Sequence, residues 1–467
     1  FSDIAATGGF DIVVGNPPWV RVHRIAESSR QRLKQDFTVY RQAAWEAGAK
    51  SAGAGHGFAA QIDLAALFVE RACDLLRPGG TLAFLLPAKL WRSLAGGGVR
   101  QLLLERADVV LLEDIANSGS QFEAAVYPSL LVARRRIENA GAITDKVIPT
   151  VEAEAEWINV TIRTPRGTKR WSCHPHRLSV DGTPGSPWLL LPGTVRRAFD
   201  RITRSGIPFS HTRFGRPLLG VKTGCNNAYI VRVDSVDGEI AHISRDGRTG
   251  EIEREMLRPL VRGETLDQWR LSGGGEYLIW PYREDGTSRS ELPPRARRWL
   301  SSYRGALTRR TDLHDRRAWW SLFRTESANN ESPRVIWADF GLRPRSIVVA
   351  ADERFVALNT CYVVRCRRNS DAHALAAILN GPLAAAWLNA IAEPARGGYR
   401  RYLGWTMSLL PLPLRWNRAR KLLSPLGERA MQGDIPSDDE LLFAALEAYQ
   451  IDRAKVEALL SWGPDCG

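Results

Sequence analysis

Asn16-Pro17-Pro18-Trp19 is the stretch of this sequence whose residue types and spacing are best suited to chemistry. Two consecutive prolines stiffen the backbone and leave carbonyls with no competing N–H donors beside them. The Asn16 side-chain oxygen and the Pro17 carbonyl can then accept hydrogen bonds from one amino group. Trp19 offers a flat face for stacking. Together they would hold an amino nitrogen and aim its lone pair at an electrophile. A turn capped by Asn beside a core Trp uses the same four residues, so the preceding segment matters. Phe10–Gly15 is a short apolar run rich in β-branched residues that ends on Gly, which predicts a buried parallel strand. Ligands of open α/β folds bind at the carboxyl ends of such strands, where Asn16 stands.

The neighbouring pattern supplies the elements needed to position that loop. After a polar stretch that reads as helical around Arg30–Ala47 and a Gly/Ala-rich loop, Leu64, Leu67, Phe68, Ala72, Leu75 and Leu76 mark one apolar helix face from Asp63 onward. Pro78-Gly79-Gly80 is expected to end it. Thr81–Leu86, Val109–Leu112 and Ser129–Ala133 read as further strands, so the front of the chain is expected to be an α/β layer on a largely parallel sheet. Residues 140–205 read as a connector with one helix near Val195–Ile202. From 206 to about 415, short strands alternate with Gly, Pro and Asn turns. Asp438–Leu460 reads as a closing helical pair.

Charge divides the chain unevenly. The net formal charge is +13, yet residues 1–150 carry 17 Lys and Arg against 15 Asp and Glu, leaving 47 against 36 in the remainder. A near-neutral front and a basic back suit a back half that meets a polyanion. Basic residues interleave with aromatics at Arg295–Arg298 beside Trp299 and at Arg309–Arg317 beside Trp319, a pattern that fits phosphate contact and equally fits solvated helix faces. The six cysteines form no CxxC pair, and Cys173, His174 and His176 lack a second ligand pair at zinc spacing, so reduced structural thiols and no metal are expected. No apolar run is long enough to span a bilayer, and the expectation is a cytoplasmic, nucleoid-associated protein with no membrane partner.

FDIVVGNPPW resembles the catalytic motif of amino-methylating, S-adenosylmethionine-dependent methyltransferases, above all the gamma-class, TaqI-like N6-adenine DNA methyltransferases of the type IIG restriction-modification kind. Residues 63–87 resemble the next block of that family, in which the resemblance implies that Phe68 lies against the adenine ring of the cofactor. A core Phe on a helix has the same spacing. Residues 120–128 resemble the block carrying a second stacking aromatic, which implies Phe122; a plain loop Phe is the alternative. Asn16, Pro17, Pro18, Trp19 and Phe122 are thus the implied catalytic set, with Phe68 and Asn16 implied on the S-adenosylmethionine side. The family's cofactor motif, a strand ending in Gly-x-Gly, would precede Asn16, where only Phe1–Gly15 stand. It is expected in an upstream segment of the same protein or in a separate subunit, and weak cofactor binding by residues 1–467 alone is the corresponding expectation.

Further back, Gly220–Val231, Leu257–Gly263, Tyr277–Tyr282, Leu379-Asn380-Gly381 and Gly397–Tyr402 resemble, in family order, blocks of the type IIG specificity domain. That resemblance implies double-stranded DNA as partner, with Lys222, Thr223, Arg262, Arg396, Arg400 and Arg401 as contact residues. The fold class expected is the rear half of a class I S-adenosylmethionine-dependent (Rossmann-like) methyltransferase sheet, followed by a mixed α+β target-recognition domain and a helical C-terminal tail. The expected boundaries are 1–140, a truncated methyltransferase catalytic domain; 141–205, a connector; 206–415, target recognition; and 416–467, the tail. Two other readings remain open: a methylase acting on protein glutamine or ribosomal RNA guanine, and a DNA-recognition module without methylation of its own.

Overall fold

The computed structural model describes residues 8–42, 45–51, 62–115, 127–137, 157–164, 167–310, 313 and 318–462. Contacts divide the chain into two units: residues 1–202, 386–401 and 453–467 form the first, and 203–385 with 402–452 form the second.

The first unit is built on a six-stranded sheet. Its strands are β1 (Phe10–Gly15), β2 (Leu76–Pro87), β3 (Ala107–Asp114), β4 (Pro128–Arg135), β5 (Ile158–Thr164) and β6 (Gly167–Cys173), in the order β1-β2-β4-β3-β5-β6. The largely parallel sheet expected from the sequence is instead mixed. β1/β2 and β3/β5 run parallel, whereas β4 runs antiparallel to both β2 and β3, and β6 is antiparallel to β5. Residues 140–205 are also more than a connector, since β5 and β6 extend the sheet. Ile158 and Val160 are buried there by an alternation only three residues deep, too short to be conspicuous in the sequence.

Helix α1 (Leu64–Leu75) makes the crossover from β1 to β2. Asp63 starts it by accepting a hydrogen bond from the Ala65 N–H at 3.3 Å, and Ala65, Ala66, Val69 and Cys73 bury its inner face. The expected stop at Pro78-Gly79-Gly80 falls slightly late: α1 ends at Leu75 and these residues already lie in β2. They form a bulge, because the β1–β2 register jumps from Phe10↔Leu76 to Ile12↔Thr81. Gly80 is required in it, since a Cβ there would stand 2.8 Å from the Phe10 carbonyl. Leu82, Phe84 and Leu86 then point into the core, where Trp91 stacks on Trp188 with centroids 5.3 Å apart. Trp91 Nε1 donates to the buried Ser129 hydroxyl at 2.8 Å, satisfying the one polar atom of that ring. β1 departs from its expected burial: Ile12 and Val14 are exposed, because among the described residues it pairs with β2 alone and nothing covers one of its faces.

Among the described residues, the second unit contains a six-stranded, a four-stranded and a two-stranded sheet. β7 (Ile230–Asp237), β8 (Ile240–Arg245), β9 (Arg248–Glu253), β10 (Leu257–Val261), β11 (Glu276–Ile279) and a short strand, Val356–Ala357, make a six-stranded sheet in the order β9-β8-β7-β11-β10 followed by Val356–Ala357. The second sheet sets Arg334–Ala338 between Ser346–Val349 and Cys361–Arg365. The helices Trp416–Met431 and Asp438–Tyr449, expected as a separate tail, belong to this unit. Trp416 Nε1 donates to the buried Asp371 carboxylate at 2.7 Å, and the Tyr449 hydroxyl donates to the Pro411 carbonyl at 2.6 Å. Gly427 lets Trp416–Met431 approach Asn369–Asn380 closely, since a Cβ would lie 2.2 Å from the His373 carbonyl oxygen.

That contact sets up a prediction in which two effects oppose. Gly→Ala in an open helix gains about 1 kcal/mol. Here the added methyl meets backbone that cannot swing aside, and overpacking costs about 1–3 kcal/mol. Gly427→Ala is therefore expected to destabilise the protein, read as a lower urea midpoint with an unchanged slope.

Candidate active site

β1 delivers Asn16 to its own carboxyl end, one residue beyond the Gly15↔Phe84 pairing with β2. Asn16 and Pro18 are exposed and Pro17 is buried, so Pro17 roots the loop while Asn16 stands at the surface. Trp19 is half-buried and packs against the core, its Nε1 inside the protein without a hydrogen-bond partner. The chain then runs antiparallel to the segment leading into α1. Leu64 N–H donates to the Val20 carbonyl and Val22 N–H to the Ile62 carbonyl, both at 2.9 Å, with Arg21 opposite Asp63.

At the carboxyl end of β2, the turn Lys89–Arg92 brings Lys89 Nζ within 2.8 Å of Asp63 Oδ2. Asp63 is 1% exposed, whereas Lys89 keeps about a third of its side chain in solvent. Close by, the strands Glu393–Pro394 and Arg400–Arg401 pair antiparallel within the first unit. Burial raises the pKa of the Glu393 carboxyl, against the pull of Arg401, Lys89, Arg21 and Arg100. Arg100 is fully buried. Its guanidinium donates to the Leu90 carbonyl, to Ser93 at 2.9 Å and to Gly185 at 2.8 Å, closing the loop that follows Lys89.

The predicted residues fare differently. Asn16, Pro17, Pro18 and Trp19 stand together at the strand end. Phe68 is not a core side chain: it is 45% exposed on α1. Phe122 lies outside the described residues. In the second unit, Lys222 is exposed, and its backbone exchanges two hydrogen bonds with Phe323 at 2.9 and 3.0 Å. Thr223 is 2% exposed and its hydroxyl hydrogen-bonds Asn226 at 2.6 Å, so it caps a turn and presents no surface for phosphate. Arg262 is half-buried between Glu276 and Glu264 at 3.1 and 3.4 Å. Arg400 is buried, which removes its guanidinium from surface contact, whereas Arg401 is exposed. Arg396 opens the turn Arg396–Gly398, and its side chain is outside the described set.

The expected pairing of arginines with stacking aromatics is corrected in part. Trp299 is buried and donates its Nε1–H to the Ala228 carbonyl at 3.0 Å, so it is a core residue. Arg310 is buried too: it donates to the Leu307, Thr223 and Trp319 carbonyls at 2.9, 2.6 and 2.7 Å and fixes the Lys222 turn from beneath. Gly224 must be glycine over it, having φ +69° and only 2.6 Å between a would-be Cβ and the Arg310 Cδ. Arg297, Arg298, Arg304 and Arg309 remain at the surface, with Arg304 over the Trp319 ring. Burial pushes the Cys73 and Cys173 thiols up to about 11, so neither supplies a thiolate nucleophile at neutral pH.

Sequence reasoning passed over Asp63 with Lys89, Arg100 and Glu393. The first pair was findable: an Asp at a helix start is a capping signature, and Lys89 follows the strand-ending Pro87 by two residues. Glu393 carried no such mark, since it stands far along the chain from Arg21, Lys89 and Arg100.

Residues 1–122 match the model of the family described as Eco57I restriction-modification methylase. The Type II methyltransferase M.PaeR7I of Pseudomonas aeruginosa is 25% identical over 449 residues, covering 93% of this chain and 70% of that protein. M.XhoI of Xanthomonas vasicola is 23% identical over 456 residues, covering 96% and 76%. Among solved structures, the type IIL restriction-modification enzyme MmeI in complex with DNA shares the fold with a TM-score of 0.58 at 10% identity. The alignment covers 96% of this chain, which spans 56% of the MmeI chain.

Proposed function

We propose that this chain, a relative of Type II methyltransferases whose first 122 residues match a restriction-modification methylase, is the part of a site-specific DNA methyltransferase that presents the target amino group for methylation. The observation that carries the reading is the exposed Asn16 on a loop rooted by Pro17 at the carboxyl end of β1. The target proposed is the exocyclic amino nitrogen of adenine. A base inside a duplex cannot reach such a loop, so it is rotated out at a cost of about a few kcal/mol. Trp19 and Phe122 would offset that cost by stacking, each by about 1–3 kcal/mol. The Asn16 oxygen and Pro17 carbonyl accept the two amino hydrogens and turn the lone pair toward the methyl donor; the departing proton goes to water.

S-adenosylmethionine, when bound, supplies the electrophilic methyl group. Exposed Phe68 fits one wall for its adenine ring. The uncovered Ile12 and Val14 on β1 support a further cofactor-binding segment, of the same protein or of a separate subunit, packing beside that strand and completing a class I methyltransferase sheet of which β1–β4 are the later half. The second unit, with its basic surface, would hold the duplex and read its sequence.

The test is product identification. Full-length protein incubated with duplex DNA and methyl-labelled S-adenosylmethionine should yield N6-methyladenine after digestion to nucleosides. Label in N4-methylcytosine would correct the target base, and label in neither base would overturn the reading.

A further inference from the structure

Three segments meet at Asp63. Its backbone lies opposite Arg21 in the short ladder that follows Trp19, where the Val20 and Ile62 carbonyls accept from the Leu64 and Val22 N–H groups. One carboxylate oxygen accepts from the Ala65 N–H and caps α1. The other holds Lys89 Nζ at 2.8 Å, at the first residue of the turn after β2. One almost wholly buried carboxylate therefore ties the segment beyond the Asn16 loop, the start of α1 and the end of β2 to one another. A lysine is a costly choice here if the only task is helix capping. Capping needs one acceptor oxygen, and an ion pair whose lysine keeps about a third of its side chain in solvent contributes little net stability, desolvation of the carboxylate offsetting the screened attraction. What such a pair does well is fix geometry.

We propose that Asp63 and Lys89 are positioning residues that clasp the Asn16–Trp19 loop against the ends of β1 and β2, a role that rests on the reading of that loop as the amino-group site. Lys89 holds the carboxylate in one rotamer. The carboxylate holds the Ile62–Leu64 strand, and that strand holds residues 20–22, so Asn16 and Pro17 keep a common orientation toward the amino group. A displacement of about 1 Å in such a constellation costs up to about 100-fold in rate.

The experiment uses Asp63→Asn, which keeps an acceptor for the Ala65 N–H and nearly the same volume, and Lys89→Gln, which keeps the cap intact. Amide hydrogen exchange on the full-length protein is the first measurement. In both variants the Val22 and Leu64 amides should exchange at least about 10-fold faster than in the wild type, with the β2–β4 amides unchanged. Methylation kinetics are the second. We expect kcat to fall about 10- to 100-fold with little change in DNA affinity, the double variant to be no worse than either single one, and Lys89→Arg to recover part of the loss. Unchanged exchange at Val22 and Leu64, or acceleration spread equally over β2 and β4, would overturn the clasp. The exchange measurement needs no enzymatic activity, so absence of methyl transfer by the wild type would overturn the amino-group reading while the clasp is still judged by exchange.

Discussion

Replacing Asn16 with Ala in the full-length protein is expected to lower kcat for methyl transfer to duplex DNA by at least about 100- to 1000-fold, the loss seen when one preorganised hydrogen bond to a reacting group is removed. DNA affinity should hardly change, because Asn16 is exposed at a strand end and supports no core contact. Equal loss of kcat and kcat/KM would place the interaction in the transition state. Trp19 demands a different substitution, since it packs against the core as well as facing the loop. Trp19→Ala would confound stacking with a cavity worth about 3–5 kcal/mol. Trp19→Phe keeps an aromatic face and most of the packing, and should lower kcat/KM modestly where Ala lowers both activity and stability. Near-wild-type methylation by Asn16→Ala would remove the loop from the chemistry.

The loop was legible in the sequence because all its determinants are local: an apolar run, a Gly, two prolines and an aromatic within ten residues. Strand β2 and helix α1 were legible for the same reason, each carrying its own period. The sheet's polarity was not. β4 inserts antiparallel between β2 and β3, and no local residue pattern distinguishes a strand that runs up from one that runs down. Nor did composition divide the basic residues into surface and core. Arg100, Arg310 and Arg400 are as polar in sequence as Arg297 and Arg298, yet the first three are buried; Arg100 and Arg310 saturate backbone carbonyls there. Thr223 likewise turned inward to cap its own turn. The units' boundaries were also hidden, because residues 386–401 return to the first unit from within the stretch expected to be target-recognition alone.

That sorting of cations sharpens what DNA binding should look like. Lys222, Arg297, Arg298, Arg304 and Arg309 are exposed on the second unit, whose residues 203–385 and 402–452 carry 34 Lys and Arg against 28 Asp and Glu. Arg295 is discounted, since its guanidinium already pairs with Glu251 at 3.0 Å. If about six to ten phosphates are neutralised, counterion release should weaken DNA binding by the full-length protein about 10³- to 10⁵-fold between roughly 50 and 200 mM salt. Lys222→Ala, Arg297→Ala and Arg298→Ala should each weaken all sequences alike and reduce the salt slope by about one if they touch phosphate. A residue that reads a base edge should instead relax preference at one position, by about 1–3 kcal/mol for that base pair. Arg310→Ala serves as the contrast. It strips three carbonyls of their donor beneath the Lys222 turn, so its first effect should be a lower unfolding midpoint, with DNA affinity falling only in step with the folded fraction. Binding that is flat across this salt range, or salt slopes untouched by all three surface variants, would remove the second unit as the DNA-holding surface.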